Sequence, residues 1–313
     1  MIRIPRRSLL AAAAFATLAP ARAATALHVS YVLRPFNVPQ IVMRQRGLLE
    51  QRLAPFGVGV VWHDITSGVL EAQALAAGSL DIGAVMNPIS VILALANGNP
   101  MKIVASFARN SRLAAILSVD PAIRTIADLK GRTVGGLKGA LPHQYLIKAL
   151  QSAGLDIGDV TFLDMDLAPT YAALLSGRIA AGVLVADLIL AAQQAGAHEI
   201  PTPPRLIEPV NVVCARTALV EQRPDLVRLY KSVQREAMAI VAADPEAAIR
   251  LGCTVNGLDP AVGRELFSWQ SFETVLTPAD LLSLQRDMAF LIDNKLCPRP
   301  VDLRAAMFEA MTP

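Results

Sequence analysis

The chain has 313 residues, of which 53% are hydrophobic and 18% charged, with a formal net charge of +3. That length exceeds what one ordinary core covers and points to two lobes. The apolar fraction rests mostly on Ala, Leu and Val, which suggests a helix-rich α/β protein rather than a membrane one.

The first 23 residues read as an export signal. Arg3, Arg6 and Arg7 form a basic start, Leu9 to Leu18 is a short apolar run, and Ala21-Arg22-Ala23 is an A-x-A cleavage pattern. The run is too short to span a bilayer. Arg6-Arg7 followed by Ser8-Leu9-Leu10 fits a twin-arginine signal and equally an ordinary basic leader. The leader holds four of the 29 Lys and Arg residues and no acidic one, so removing it leaves 25 basic against 26 acidic residues, a net charge of −1. With no Lys/Arg run interleaved with aromatics, a nucleic-acid partner is not expected. A monomer in the periplasm is.

In chain order, "ALHVSYVL" (26–33) alternates as a strand should. "VPQIVMRQRGLLEQRLAPFG" reads as one helix with Pro39 near its start and Gly57 past its end. "VGVVWHDI" (58–65) is a strand, and "TSGVLEAQALAAG" a helix capped by Thr66 or Ser67. "LDIGAVM" is a strand, followed by an Asn87-Pro88 turn, a helix over 89–96 and the strand "KIVASF". This alternation implies a parallel sheet with helices on both faces. A second round follows: a strand at 115–119, a short helix at 126–129, strand 133–137, helix 142–153, strand 160–164, helix 169–176, strand 180–185 and helix 188–194. After a proline-rich loop, "VNVVCAR" (210–216) is one more strand. From Arg223 the chain is almost wholly helical, with start signals at Asp225, Asp244-Pro245, Asp259-Pro260 and Thr277-Pro278.

One corner is written twice. "QALAAGSLDIGAVMNP" (73–88) aligns with "AALLSGRIAAGVLVAD" (172–187), placing Gly78 on Gly177, Leu80 on Ile179 and Gly83 on Gly182. Gly78 and Gly177 stand where a helix ends in the left-handed conformation. Gly83 and Gly182 lie inside strands, where glycine signals close approach of another backbone. Ligands of open α/β sheets bind beyond the carboxyl ends of the strands, here Met86-Asn87-Pro88 and Val185-Ala186-Asp187. "GGLKGALPHQYL" (135–146) adds a strand–loop–helix junction whose free N–H groups and helix dipole suit an anion. "YVLRPFNVPQI" supplies the matching junction in the first half.

"RGLLEQRLAPFGVGVVWHDITSGVLEAQALAAGSLDIGAV", "TIADLKGRTVGGLKGALPHQYLIKAL", "AGLDIGDVTFL" and "AALLSGRIAAGVLVADLILAAQQAGA" resemble the periplasmic solute-binding proteins of ABC importers, in particular the sulfonate, nitrate and taurine group. The resemblance implies an α/β type II periplasmic-binding-protein fold, with two doubly wound lobes joined by two crossovers around a ligand cleft. Lobe one would comprise residues 24–115 and 213–313, lobe two 116–212, and the C-terminal helices would pack on lobe one. The implied partners are a small-molecule ligand, a membrane permease and its ATPase. A sensor presenting its bound form to a membrane receptor has the same fold, and the family's enzymatic relatives make the thiamine pyrimidine.

The matched loops offer ligand-binding candidates: Arg34, Phe36, Asn37, Ser67, Gly68, Asn87 and Pro88 from lobe one, and Lys138, Gly139, Ala140, Leu141, His143 and Asp187 from lobe two, with Asn211 on the returning strand. Arg109 and Arg112 serve either to steer an anion or as hinge-surface charges. The chain departs from the family at Met86-Asn87-Pro88, Ala140-Leu141 and Val185-Ala186-Asp187, each time losing a polar or aromatic contact. A sulfonate-, taurine- or carboxylate-like organic anion, or a heterocycle, is therefore expected over nitrate.

Nothing calls for catalysis or a cofactor. His28, His63, His143 and His198 are scattered without metal spacing, and the G-x-S-x-G elbow is absent. His63 and Asp64 are strand neighbours on opposite faces and cannot form a dyad. Cys214, Cys253 and Cys297 read as small buried hydrophobes, with a Cys253–Cys297 bridge as the alternative.

Overall fold

The computed structural model describes residues 25–33, 36–112, 114–204, 206–207 and 209–309. The expected export signal and Arg34 lie outside them. The element order is β1 (Thr25–Tyr31), α1 (Val38–Gln45), α2 (Leu48–Leu53), β2 (Val58–Asp64), α3 (Gly68–Ala76), β3 (Ile82–Met86), α4 (Pro88–Ala96) and β4 (Met101–Asn110). Then come β5 (Ala114–Ser118), β6 (Thr133–Gly136), α5 (Leu141–Ser152), β7 (Thr161–Asp164), α6 (Leu167–Leu175), β8 (Ala181–Val185), α7 (Asp187–Gln194) and β9 (His198–Glu199). The chain closes with β10 (Val210–Arg216), α8 (Thr217–Gln222), α9 (Pro224–Ala243), α10 (Pro245–Asn256), α11 (Pro260–Ser268), β11 (Gln270–Phe272) and α12 (Pro278–Asp293).

These strands form two sheets, ordered β11-β4-β10-β3-β1-β2 and β7-β6-β8-β5-β9. Neither is uniformly parallel, which corrects the sequence expectation. β10 runs antiparallel between β3 and β4, and β5 runs antiparallel beside β8. β1, β2, β3 and β4, and likewise β6, β7 and β8, run parallel to one another and end at the edge facing the other lobe, whereas β11 runs antiparallel to β4. A chain arriving across the crossover starts at that edge and must run the opposite way.

The expected single helix over 38–57 is two helices broken at Gly47, whose φ of +60° sits in the left-handed region. The three cysteines are buried and free. Apolar clusters cover both faces of the larger sheet, one with Val227, Tyr230 and Val233 of α9 and the other with Ile89 and Ile92 of α4 and Leu284 of α12. The C-terminal helices do not all stay on this lobe. Ile249 and Cys253 of α10 and Leu266 of α11 share a cluster with Leu117, Leu184 and Ile189 of the smaller lobe. That lobe's sheet leaves an apolar face which α6 and α7 cover only in part.

The doubled corner is real in three dimensions. Gly78 and Gly177 end their helices at φ +72° and +68°. A Cβ on Gly83 would lie 2.8 Å from the Met86 sulfur and 3.2 Å from Leu75 Cδ1, and one on Gly182 would lie 3.1 Å from Thr170 Cγ2. The close approach is thus by side chains, notably those of the preceding helix, rather than by backbone. A Cβ on Gly78 meets nothing within 4 Å, so Gly78→Ala isolates the conformational cost. It should lower the unfolding free energy by about 1–2 kcal/mol in urea titration; unchanged stability would mean the helix end relaxes out of the left-handed region.

Candidate binding cleft

Four helices begin at one place. A cavity of about 110 Å³ between the lobes is walled by Ser67, Gly68 and Val69 at the start of α3, Asn87 and Ser90 at the start of α4, Ala140, Leu141 and Pro142 at the start of α5, and Leu167, the first residue of α6. Val32, Val85, Leu137 and Val185 close it with apolar surface, and Asn211 of β10 lies on its wall. Positive ends of helix dipoles from both lobes therefore point toward one small space, an arrangement that favours negative charge.

The helix starts differ in how they are satisfied. Ser67 Oγ accepts from the Leu70 N–H at 3.4 Å, and Asn87 Oδ1 from the Ser90 N–H at 3.0 Å. Asn87 also donates through Nδ2 to Ser90 Oγ at 3.0 Å. Gly68 lets α3 approach α4, since a Cβ there would stand 2.9 Å from Asn87 Nδ2. On the other lobe neither α5 nor α6 has a side-chain cap. Ala140 at the α5 cap position cannot supply one; with Pro142 lacking an N–H and the His143 and Gln144 N–H groups bonded to the Ala140 carbonyl, the Leu141 N–H is the donor that this helix end presents. Asn211 is 3% exposed, and its Oδ1 has no hydrogen-bond partner among the described residues. Such a group signals water or ligand.

The lobe-one wall is anchored from beneath by a buried carboxyl. Glu71, on α3, is 0% exposed; the Ser30 hydroxyl donates to its Oε1 at 2.6 Å and the Val85 N–H donates at 3.4 Å. Ser30 Oγ in turn accepts from the Ala84 N–H at 2.7 Å. Burial pushes the Glu71 carboxyl up to about 8, against the smaller lowering effects of Ser30, Val85 and Ala84. The first turn of α3 is thereby tied to β1 and β3.

Of the sequence candidates, Ser67, Gly68, Asn87, Ala140, Leu141 and Asn211 come together on this wall. Lys138 and Gly139 line an adjoining groove. The others lie elsewhere. Phe36 is 1% exposed in the apolar cluster that includes α10, and Asn37 is fully buried with its Nδ2 donating to the Val32 carbonyl at 2.6 Å. Pro88 is buried at the first position of α4, and Asp187 opens α7 behind Ala186, whose φ of +52° is strained for a residue with a Cβ. His143 turns from the cavity to pack on Phe162, ring centroids 4.8 Å apart; burial, then Lys138, holds its imidazole down to about 4.

The two hinge arginines are ion-paired. Arg109 donates through Nε to Asp280 Oδ1 at 2.8 Å and through Nη2 to Oδ2 at 2.5 Å. Arg112 reaches Glu199 and lies 4.7 Å over the Trp269 ring. A larger cavity of about 540 Å³ is walled by Arg109, Trp269 and Asp280. Its wall also holds Asn110, Lys148, Arg286 and Asp287, and the buried Asn110 amide there, like Asn211 Oδ1, has no hydrogen-bond partner among the described residues.

Sequence reasoning missed Thr66, Val69, Ser90 and Leu167 on this wall. One signal was available: the offset that lays Gly78 on Gly177 also lays Gly68 on Leu167, so the repeat marks both helix starts. No set of three or more His, Cys, Asp or Glu side chains among the described residues is arranged to hold a metal. No helix among them is long and apolar enough to cross a membrane.

Two mixed α/β sheets joined by two crossovers, with helix starts from both lobes on the cleft between them, define the type II periplasmic-binding-protein fold. The chain belongs to the NMT1/THI5-like family, which matches residues 57–248. It is 26% identical over 314 residues to a protein of Escherichia coli (strain K12) that bears the name aliphatic sulfonates-binding protein, covering 99% of this chain and 96% of that one. Riboflavin-binding protein RibY of Chloroflexus aurantiacus is 25% identical, covering 72% of this chain and 64% of that protein. Among solved structures, the alkanesulfonate-binding protein SsuA from Xanthomonas axonopodis pv. citri, bound to MOPS, superposes with a TM-score of 0.82 at 23% identity, over 91% of this chain and 99% of that one. The desulfurization enzyme DSZB shares the fold as well, with a TM-score of 0.68 at 17% identity over 90% and 96% of the two chains.

Proposed function

We propose that the chain is the extracytoplasmic binding component of an ABC importer, which encloses a small organic anion between its lobes and presents the closed form to a membrane permease. The observation that carries this reading is the convergence of four helix starts, two from each lobe, on one mostly apolar cavity. An anion seated there draws on both lobes at once, so its binding energy favours the closed arrangement. The relatives named for sulfonates support an anionic head group, and the riboflavin-binding relative keeps a heterocycle within reach.

Because an enzyme shares the fold, the fold alone does not separate binding from catalysis. The relatives named as sulfonate- and riboflavin-binding proteins favour binding. Cys214 lies fully buried on β10, where burial, then Glu71, pushes its thiol well up.

The test is a calorimetric and thermal-shift screen of sulfonates, carboxylates, pyrimidines and nitrate against the exported protein. An organic acid should raise the melting temperature and shrink the particle in small-angle scattering, and Asn211→Leu should weaken that binding by at least tenfold. A selective response to nitrate, or binding without compaction, would overturn the reading.

A further inference from the structure

Two helices from different lobes run side by side at the hinge. α5 packs on the smaller lobe through Leu146 and Leu150, and α12 on the larger one through Leu284 and Leu291. They meet once per turn. Gln144 of α5 donates through Nε2 to Asp287 Oδ1 of α12 at 2.6 Å. The Lys148 ammonium lies 5.4 Å from the centre of the Phe290 ring, and Gln151 Nε2 donates to Asn294 Oδ1, just past the end of α12, at 3.1 Å. Between these rungs Ile147, 2% exposed, enters the apolar cluster of the larger lobe. Positions 144, 147, 148 and 151 fall on one face of α5, and 284, 287, 291 and 294 on one face of α12. The two faces form a seam between the lobes. It stands apart from the cavity at the helix starts, whose wall includes neither Gln144 nor Asp287.

The first rung is incomplete as an amide–carboxylate contact. Gln144 is 2% and Asp287 7% exposed. With Nε2 bonded to Oδ1, the other oxygen of each group, Gln144 Oε1 and Asp287 Oδ2, is buried without a hydrogen-bond partner among the described residues. Both are acceptors while the carboxyl is ionised, and two acceptors held away from water without a donor are costly. One proton removes both defects. An amide and a carboxyl group each carry two polar atoms on one carbon, so one bond between them brings the remaining two atoms together when the planes align. A protonated carboxyl is then the missing donor. The surrounding charges offer no substitute. Burial lifts the Asp287 carboxyl above its ordinary 3.8, outweighing the Gln144 bond, Lys148 of α5 and Arg286 of α12, and neither cation bonds Oδ2. Asp280 of α12 is occupied by Arg109 of β4, and α4, which also packs on α12, carries no ionisable residue. The hinge side of the same wall adds Leu206, Ile207, Pro209 and Val210.

We infer that Asp287 holds its proton and closes a two-bond ring with Gln144, Nε2–H to Oδ1 and Oδ2–H to Oε1, and that this ring is a proton-dependent clasp between the lobes. When the proton passes to water, the second bond is lost and a charge is left inside the seam, where α5 and α12 must part to hydrate it. The lobes then move at the hinge, α12 staying with the larger sheet and α5 with the smaller. The ring is intact below the folded-state value of the carboxyl and is lost as pH rises through it. Its action does not depend on which ligand the cleft takes.

Carboxyl-carbon NMR of the full exported chain, labelled at aspartate and without added ligand, reads the proton directly. One aspartate signal should titrate well above 3.8, and Asp287→Asn should remove it. Small-angle scattering over the same titration should show the wild type expanding as that signal shifts. Asp287→Asn should stay compact throughout, because its amide donates to Gln144 Oε1, accepts from Nε2 and has no proton to lose. Circular dichroism confirms that both proteins remain folded across the range. An Asp287 carboxyl that stays ionised down to the ordinary range would overturn the ring. A raised titration with no change in radius, or with equal expansion of Asp287→Asn, would overturn the clasp.

Discussion

Between pH 4.5 and about 8 the protein should lose stability at roughly 1.4 kcal/mol per pH unit through Glu71, and Glu71→Gln should remove that slope. The sign follows from where the proton sits. Burial raises the folded-state value from the ordinary 4.5 to about 8. Across this window the unfolded chain releases the Glu71 proton and the folded chain keeps it, so unfolding becomes progressively easier as pH rises. The contribution is fully present below 4.5 and spent once pH passes the folded value, a total of about 5 kcal/mol. Gln at this position still accepts from Ser30 and carries no proton to lose. Urea midpoints of the two proteins at half-unit steps of pH give the difference directly, which cancels the background of other groups. Parallel curves would show that Glu71 is ionised in the folded state.

Arg109→Met should cost about 3 kcal/mol in the same titration, because it leaves the Asp280 carboxylate buried without its counter-ion. The Asp280 side chain is 5% exposed, and it loses both contacts of the Arg109 guanidinium. Three contacts with Thr277 remain, since the Thr277 N–H and hydroxyl donate to Asp280 Oδ2 at 2.7 and 2.8 Å and the Asp280 N–H donates back to Thr277 Oγ1 at 3.3 Å. They keep the start of α12 but do not neutralise the charge. Burial alone would raise the Asp280 carboxyl; the bonds from Arg109 and Thr277 outweigh it and hold the group below the usual range. The native protein should accordingly lose stability as pH falls through that depressed value, and the variant should lose less, having less to give up. A variant as stable as wild type would mean that solvent reaches Asp280 and screens it.

How far each feature was legible depended on the range of the interaction behind it. The left-handed helix ends at Gly78 and Gly177, the Thr277 start of α12 and the Ser67 and Asn87 caps are each decided within a few residues, where backbone sterics and one side-chain bond suffice. The doubled corner added one longer-range clue, because two copies of one local pattern imply two copies of one surface. The doubled corner pointed to Asn87 and Asp187, and the loops matched to the resembling family added Ser67, Gly68, Ala140, Leu141 and, on the returning strand, Asn211 as expectations.

His143 and Asn37 show the opposite limit. Each sits in a loop–helix junction of the right local kind, yet His143 packs on Phe162 and Asn37 holds the Val32 carbonyl. The direction in which a side chain leaves such a junction depends on neighbours supplied by other strands, and local pattern contains no information about those. Arg109 and Asp280, 171 residues apart, meet only because β4 and α12 pack at the same hinge.

By itself the sequence determined the two α/β rounds, the glycines that end their helices and the helix starts that point at a cleft, all consequences of local sterics and hydrogen bonding. Only the tertiary structure decided that β10 and β5 enter their sheets antiparallel, that the Glu71 carboxyl is fully buried against Ser30, and that the starts of α3, α4, α5 and α6 wall one cavity. Those outcomes depend on which distant surfaces exclude water from one another, and that is settled when the lobes pack.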